Sequence, residues 1–305
     1  MDVGYKSRHP VESCPVCASR ALAPKPPRGG IPIAVCGGCG LVLQSPQPSD
    51  EELARIYGSN YFIGSGDDAE LARQFQQVKR ATARLQLDEI ERFLAKLPSA
   101  LTSRRLFEVG CGHGNLLNEA RRRGYDVSGL EFSPDAARIA NATLGLRDAV
   151  RCGTVEGGGL AGLAFDVCVA ADVIEHTRDP RRFLEGLRRQ LAPGGVLFVT
   201  TPSLRSWSAR LLRSWWVEYK PEHLFYFDES TLSRLLREVG FDRIEISAGV
   251  KALTLGYIAG HFAKFPTPVV SPLIHTASKL MPSSWLAREI RIAASGINVL
   301  ATRSD

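Results

Sequence analysis

Nowhere in its 305 residues does the chain hold an uninterrupted apolar run approaching the roughly 18 residues that a membrane-spanning helix requires. Its opening, MDVGYKSRHPVESCPVC, has no apolar segment behind the charges, so no secretory leader is expected and the cytoplasm is the expected compartment. Internal repeats and low-complexity tracts are absent as well. Disulfides are not expected in such a compartment, and the seven cysteines therefore suggest metal binding or free thiols. What is there is ordinary for a globular protein: 44% hydrophobic and 23% charged residues, enough to build a core and too apolar for a disordered chain. A formal charge of +6 permits an acidic partner, nucleic acid or anionic lipid, without deciding for either.

Residues 1–48 are rich in Pro, Gly and Cys and show little helical or strand periodicity, so a metal is expected to hold them. From Ser49 the signals change. Ser49 before Asp50, Glu51 and Glu52 reads as an N-cap with acids in the first turn, and a helix-forming stretch over 69–97 stops at Pro98, making 49–100 a helical connector. Between 104 and 201 short apolar runs alternate with helical patterns, the signature of βαβ units and a parallel sheet covered on both faces. Strands are expected at 105–109, 125–130, 149–152, 165–170 and 195–200. Asp228 opens a helix that Gly240 caps after Val239, and further strands are expected at 242–247 and 297–302. About 45 residues separate those two, too many for a plain connection. The core is accordingly expected over 101–250, a helical cap over 251–296 and the last strand in 297–305.

Two motifs carry chemistry. Cys14-Pro-Val-Cys17 and Cys36-Gly-Gly-Cys39 are two C-x2-C pairs with 18 residues between them, the spacing of a tetrahedral four-thiolate Zn2+ site built from two knuckles; a redox pair is the alternative. Cys111, Cys152 and Cys168 have no such partners and read as buried thiols. In the second motif, Glu108-Val-Gly110-Cys-Gly112-His-Gly114 lies between an apolar strand and a helical run. A chain that turns sharply there and lets a ligand lie against bare backbone needs such glycines. A second strand leads into Glu131, 21 residues after Gly110, where a carboxylate can hold two ribose hydroxyls, so the spacing suits a nucleoside. The pattern is Gly-x-Gly-x-Gly and lacks the Gly-x-Gly-x-x-Gly grip on a pyrophosphate, so a dehydrogenase is not expected.

Taken together, EVGCGHGN, GLEFSP, FDVCVAADVIEH and LAPGGVLFVTTP resemble the ordered motifs of class I S-adenosylmethionine-dependent methyltransferases, over about Leu106 to Phe241. The resemblance implies an α/β, Rossmann-like seven-stranded sheet whose last strand is antiparallel, here with a small N-terminal zinc module and a helical insertion before that strand. It implies S-adenosylmethionine as cofactor, with Glu108 and Gly110 near its methionine end, Gly112 beneath it, Gly114 in the same turn and Glu131 on the ribose. Asp172 to His176 would stand beside the reacting methyl. Where the family often has an acid for the adenine amino group, this chain has Thr154; the Val155 backbone then meets the adenine edge, and Glu156 is the nearby acid.

Methyl transfer is an in-line displacement that depends chiefly on holding nucleophile and methyl together in a dry site. A hydroxyl nucleophile gains from a base, and His223 in Lys220-Pro-Glu-His223-Leu-Phe-Tyr226 is the candidate, a helix-capping or packed histidine being the bland reading. His176 is the second candidate, or an anchor for its loop. Two further stretches concern the acceptor. Lys251, Lys264, Lys279, Arg288 and Arg291 face the single acid Glu289 in a segment where Leu255, Ile258, Ala259 and Phe262 recur at helical spacing. Residues 204–220 interleave Arg205, Arg210 and Arg213 with Trp207, Leu211, Trp215 and Trp216. Both read either as surfaces touching an anionic membrane or as a substrate lid. The array CGGCGLVLQ followed by PQPSDEELARIY resembles bacterial methyltransferases of glycan and specialised-metabolite pathways, including zinc-bearing sugar C-methyltransferases with an extra C-terminal domain. O-methylation of a small-molecule, glycan or lipid-linked acceptor is therefore expected first. RNA methylation, sugar C-methylation and a zinc-dependent binding module with an inactive methyltransferase domain are the rivals.

Overall fold

A computed structural model of the chain describes residues 8–57, 69–98, 103–157, 164–264 and 270–304. Three short strands come first, β1 (Leu22–Arg28), β2 (Ile31–Cys36) and β3 (Val42–Gln44), and then two helices, α1 (Asp50–Ile56) and α2 (Ala69–Leu94). The central part alternates: β4 (Arg105–Val109), α3 (Asn115–Arg122), β5 (Asp126–Glu131), α4 (Pro134–Leu144), β6 (Val150–Cys152), β7 (Phe165–Ala171), α5 (Pro180–Gln190) and β8 (Leu191–Pro202). After α6 (Trp207–Leu212) and β9 (Phe225–Tyr226) come α7 (Glu229–Val239) and a long hairpin, β10 (Phe241–Thr254) and β11 (Glu289–Arg303). Three helices, α8 (Leu255–Lys264), α9 (Val270–Leu280) and α10 (Ser283–Leu286), lie between those two strands.

Local chemistry sets these boundaries. Ser49 accepts from the Glu52 amide while Glu52 reaches back to the Ser49 amide, a capping box that starts α1. Asp228 and Thr231 do the same for α7, which Gly240 ends in the left-handed conformation. Along β4, β7 and β8 the apolar side chains alternate between two cores. Phe107, Cys168, Leu197 and Val199 face α5 and α7, whereas Leu106, Val167, Val196 and Phe198 face α2, α3 and α4. A sheet covered on both faces must be apolar on both, and these strands read that way.

The seven-stranded sheet has the order β10-β11-β8-β7-β4-β5-β6. β6, β5, β4, β7 and β8 run parallel to their neighbours, and β11 enters antiparallel to both β8 and β10, as the resemblance implies. Strand order reverses at β4: the chain builds outward through β5 and β6, then returns to the other side of β4 as β7. The connections after β4 and β7 therefore diverge and leave a crevice at the carboxyl ends of the strands.

Two expectations need correction. The first 48 residues do contain strands, and they do not stand on metal ligands alone. Ile31, Ile33, Ala34 and Cys36 are buried, and β3 pairs with β9, more than 180 residues further along, to close a four-stranded sheet. Val16, Leu41 and Leu43 share a single core with Phe107 and Val199, so this segment packs on the central sheet. Each such buried Leu or Val contributes about 1.5–3 kcal/mol. The hairpin is also longer than the sequence suggests. Residues 251–254 and 289–296, expected as helical cap, are strand, because α2 takes them up: Thr82 Oγ1 accepts from the Ala252 amide at 3.0 Å and donates to the Ala252 carbonyl at 3.3 Å. Among the described residues no helix is long and apolar enough to cross a membrane.

Candidate active site

β4 ends in Glu108 and Val109, and the backbone then turns through Gly110 at φ 68° and Gly112 at φ 53°, a region closed to most side chains. A Cβ on Gly110 would also lie 2.6 Å from Val173 Cγ2, so the turns after β4 and β7 touch there. The Gly112 amide donates to Glu131 Oε2 at 2.8 Å and the Ser133 amide to Glu131 Oε1 at 3.0 Å. Gly114 is the left-handed N-cap of α3. From α2, Gln76 meets His113 Nδ1 at 2.8 Å and accepts from Asn115 Nδ2 at 2.9 Å, clamping the turn from above. Glu108 is buried and its Oε2 has no partner. Burial, helped by the nearby charge of Glu131, pushes its carboxyl up to about 8.

The turn after β7 forms the opposite wall. Asp172 adopts φ 56°, unusual for a residue with a side chain, and Thr200 on β8 holds it there. The Asp172 amide donates to the Thr200 carbonyl and hydroxyl, both at 3.0 Å, and the Thr200 hydroxyl donates to Asp172 Oδ1 at 3.0 Å. Lys251, from the extended part of β10, donates to Asp172 Oδ2 at 2.7 Å. Though Asp172 is partly buried, the Lys251 ammonium keeps its carboxyl well below the usual range and is itself pushed up in return. Lys251 thus belongs to the site and not to a membrane-facing row of cations.

Beyond Asp172 lie Glu175, His176 and His223. The two imidazoles stand edge to face with centroids 4.7 Å apart, and His176 Nε2 lies 4.0 Å from Glu175 Oε1. Tyr57, just past α1, lies 2.9 Å from His176 Nδ1 through its hydroxyl, and the Glu222 carbonyl lies 3.0 Å from the same nitrogen. Thr201 Oγ1 donates to Glu175 Oε2 at 3.0 Å. Burial pushes Glu175 up to about 8, with the Asp172 charge adding to it, and drives His176 down to about 4 and His223 well below its ordinary value. Backbone bonds hold the group together: the Leu224 amide donates to the Glu175 carbonyl at 2.8 Å, and the Gln44 amide to the Leu224 carbonyl at 2.9 Å. The N-terminal sheet is therefore fixed to the histidine pair.

The sequence-predicted residues fall into three places. Glu108, Gly110, Gly112 and Gly114 form the first turn, to which Glu131 is bonded from the end of β5, while Asp172 and His176 lie along the second and His223 packs on it from the loop before β9. Thr154 and Val155 follow β6, one strand further out: Thr154 is exposed and its hydroxyl accepts from the Gly157 amide at 3.3 Å, and Val155 is buried beneath α5 against Gly186. Gln76, Tyr57, Thr200 and Lys251 escaped sequence reasoning, since each is brought in from an element far away in the chain. Of the aromatic stretch, Trp207, Leu211 and Trp215 are exposed, but Trp216 is buried and donates to Ser208 Oγ at 3.0 Å. The side chain of Lys264 lies outside the described residues.

The four cysteines of the N-terminal segment converge. One sulfur of each lies within 4.8 Å of the others, with Cys14 and Cys39, and Cys17 and Cys36, 3.5 Å apart. Zinc–sulfur bonds of about 2.3 Å in a tetrahedron put sulfurs about 3.8 Å apart, so the donor set suits Zn2+.

The profile of the family described as "Methyltransferase domain" matches residues 75–246, more than half of the chain. The chain belongs to this methyltransferase domain family. The chain is 30% identical over 151 residues to the ubiquinone biosynthesis O-methyltransferase of Cereibacter sphaeroides, covering 46% of this chain and 61% of that protein. With the protein of the same name from Parvibaculum lavamentivorans it is 36% identical over 100 residues, 32% of this chain and 40% of that one. The chain thus spans less than two thirds of the length of these curated relatives. Among solved structures the (4+2)-cyclase SpnF superposes with a TM-score of 0.52 at 18% identity, over 85% of this chain and 98% of that one. That likeness concerns the fold alone.

Thr200→Val keeps the side-chain volume but strips the hydroxyl that satisfies both the amide and the carboxylate of Asp172. A loss of about 1–3 kcal/mol in urea unfolding is expected. An unchanged midpoint would mean that Lys251 alone holds Asp172 in place.

Proposed function

We propose that this methyltransferase-family chain transfers a methyl group from S-adenosylmethionine to a hydroxyl of a small, amphiphilic acceptor. The observation that carries the reading is the crevice between the β4 and β7 turns, lined on one side by glycines and two carboxylates and on the other by neutral histidines. The residues fit the cofactor. Glu108 is a buried carboxyl whose Oε2 has no hydrogen-bond partner, suited to a cationic amino group, and the backbone of the turn runs left-handed and bare of side chains at Gly110, Gly112 and Gly114. When bound, S-adenosylmethionine supplies an electrophilic methyl on a sulfonium. Glu131, oriented by the Gly112 and Ser133 amides, would hold the ribose, and Gly110, Gly112 and Gly114 would border the methionine end. Val155 would meet the adenine edge through its backbone, with Thr154 beside it. Asp172, fixed by Thr200 and Lys251, would border the reacting methyl.

At the acceptor end, His176 and His223 are held neutral by burial and offer lone pairs to a hydroxyl proton. The named O-methyltransferase relatives support oxygen as the methylated atom. Exposed Trp207, Leu211, Trp215, Leu273, Leu280 and Trp285 share their segments with Arg210, Arg213, Lys279, Arg288 and Arg291. This mixture supports a lipid-linked or otherwise amphiphilic acceptor, met at an anionic membrane surface. The test uses labelled S-adenosylmethionine with hydroxyl-bearing amphiphiles carried in anionic vesicles. Label should appear on oxygen by mass spectrometry, and His223→Ala should lower turnover about 10²-fold. Label found only on RNA, or only on carbon or nitrogen, would contradict it.

A structural Zn2+ at Cys14, Cys17, Cys36 and Cys39 belongs to the same proposal. It would rigidify the knuckles that adjoin β2 and, through β3 and β9, the segment bearing His223. Metal analysis of the purified chain should find one zinc per chain bound by the four thiolates; a chain that stays folded without it would remove the structural role.

A further inference from the structure

We propose that Arg181, a residue of the methyltransferase core, positions the first cysteine knuckle on its metal, a role that rests on the structural Zn2+ proposed above. Zinc affinity then depends on a side chain far outside the cysteine segment. Arg181 lies in the first turn of α5, just past the turn that bears Glu175 and His176. Its Nε donates to the Pro15 carbonyl at 3.2 Å and a terminal nitrogen to the Val16 carbonyl at 3.0 Å. Pro15 and Val16 are the two residues between Cys14 and Cys17.

A trans peptide points its carbonyl and its amide to opposite sides. The Pro15 carbonyl and the Val16 amide belong to one peptide unit, and the Val16 carbonyl and the Cys17 amide to the next. Both of these amides turn to the Cys14 sulfur. Two successive peptides therefore stand between the Arg181 guanidinium and Cys14, each with its carbonyl on the cation and its amide on the sulfur. Hydrogen bonds in series polarise one another, and those with an ionised partner are the stronger ones. The second knuckle is held from within its own segment: the Gly37 amide donates to the Ala21 carbonyl at 2.7 Å and the Gly38 amide to Cys36 Sγ at 3.4 Å.

Arg181 is itself fixed from α7. Glu238 accepts from Arg181 and, at 2.9 Å, from Arg234 Nε, and Arg234 lies within electrostatic reach of Cys17 and Cys39. Four thiolates around a divalent ion leave two negative charges over, so both guanidiniums favour the loaded site. They differ in how. Arg234 is 47% exposed and its charge is screened by water, whereas Arg181 acts through directed bonds on a knuckle whose Cys14 and Val16 are buried.

The experiment titrates the zinc-loaded full chain with a chelator and measures the zinc released, with far-ultraviolet circular dichroism to follow the fold. Arg181→Met should weaken zinc binding about 10- to 100-fold with an unchanged spectrum, the usual effect of removing a group that orients metal ligands. Arg181→Lys keeps the charge without the planar fork that spans two carbonyls, so it should lose about 10-fold or more, and it decides the matter if the methionine variant does not fold. Two controls should stay within about 5-fold of the native chain. Arg234→Met removes an exposed charge, and Arg178→Met removes another clamp on the N-terminal segment, a bond of 2.8 Å to the Pro48 carbonyl, without touching a knuckle. Native affinity in a folded Arg181 variant would overturn the proposal. So would an equal loss in Arg234→Met, which makes charge alone the cause, or in Arg178→Met, which makes it loosened docking. A native chain that takes up no zinc would remove the metal site and the role of Arg181 together, whereas native uptake matched by Arg181→Lys would remove only the second.

Discussion

The reversal of strand order at β4 is the constraint on which the rest of the site depends. Because the chain continues from β4 to one side as β5 and returns to the other as β7, the turns after β4 and β7 diverge from a point where they touch, and a side chain in the wrong place would force them apart. Gly110 shows how tight the closure is, with Val173 from the opposite turn already where its Cβ would be. The backbone is bent to the same end: left-handed at Gly110 and Gly112 on one wall, and at Asp172 on the other, where Thr200 supplies the bonds that hold a residue with a side chain in that conformation.

The crevice collects polar atoms that the fold leaves unsatisfied. Glu108 Oε2, Glu175 Oε1 and His223 Nδ1 are all buried and without hydrogen-bond partners, as are side-chain atoms of Gln44, Gln47, Gln190, Tyr226, Glu229 and Arg303, each at a cost of about 1–3 kcal/mol. Such groups are tolerated where a ligand supplies the missing partner. The three of the crevice divide it, with Glu108 beside the glycine turn and Glu175 and His223 beyond Asp172. One end suits a cationic, ribose-bearing ligand and the other an acceptor. The N-terminal sheet adds rigidity to the second end, since Gln44, Leu224 and Glu175 form one run of backbone bonds.

Much of this was legible in the sequence, for reasons that also explain what was not. β4 runs over the expected residues because its apolar side chains end abruptly at the glycines, and Glu131 and the four cysteines were found by spacing, which survives folding unchanged. The sequence sets Lys251 in a basic segment where Leu255, Ile258, Ala259 and Phe262 recur at helical spacing, whereas the strand reaches to Thr254 and carries Lys251 to Asp172, 79 positions away in the chain. Gln76 lies in a segment with no motif of its own, Tyr57 and Thr200 fall within motifs that say nothing of their contacts, and only tertiary packing brings the three in. β9 is two residues long, too short for any period, so the link between the cysteine segment and His223 could not be read beforehand.

The central claim, that the β4 crevice receives the cationic end of S-adenosylmethionine, is tested most directly by the protons that binding moves. Burial pushes the Glu108 carboxyl up to about 8, which favours its protonated form at pH 7 in the free protein. A cation against it favours the carboxylate, so binding must expel a proton between the ordinary carboxylate range and about pH 8, and little above that. Calorimetric titration at pH 7 in buffers of different ionisation enthalpy measures this number. The account predicts one binding site with release of most of a proton, lost in Glu108→Gln. Absence of binding, or the same proton release in the variant, would contradict it.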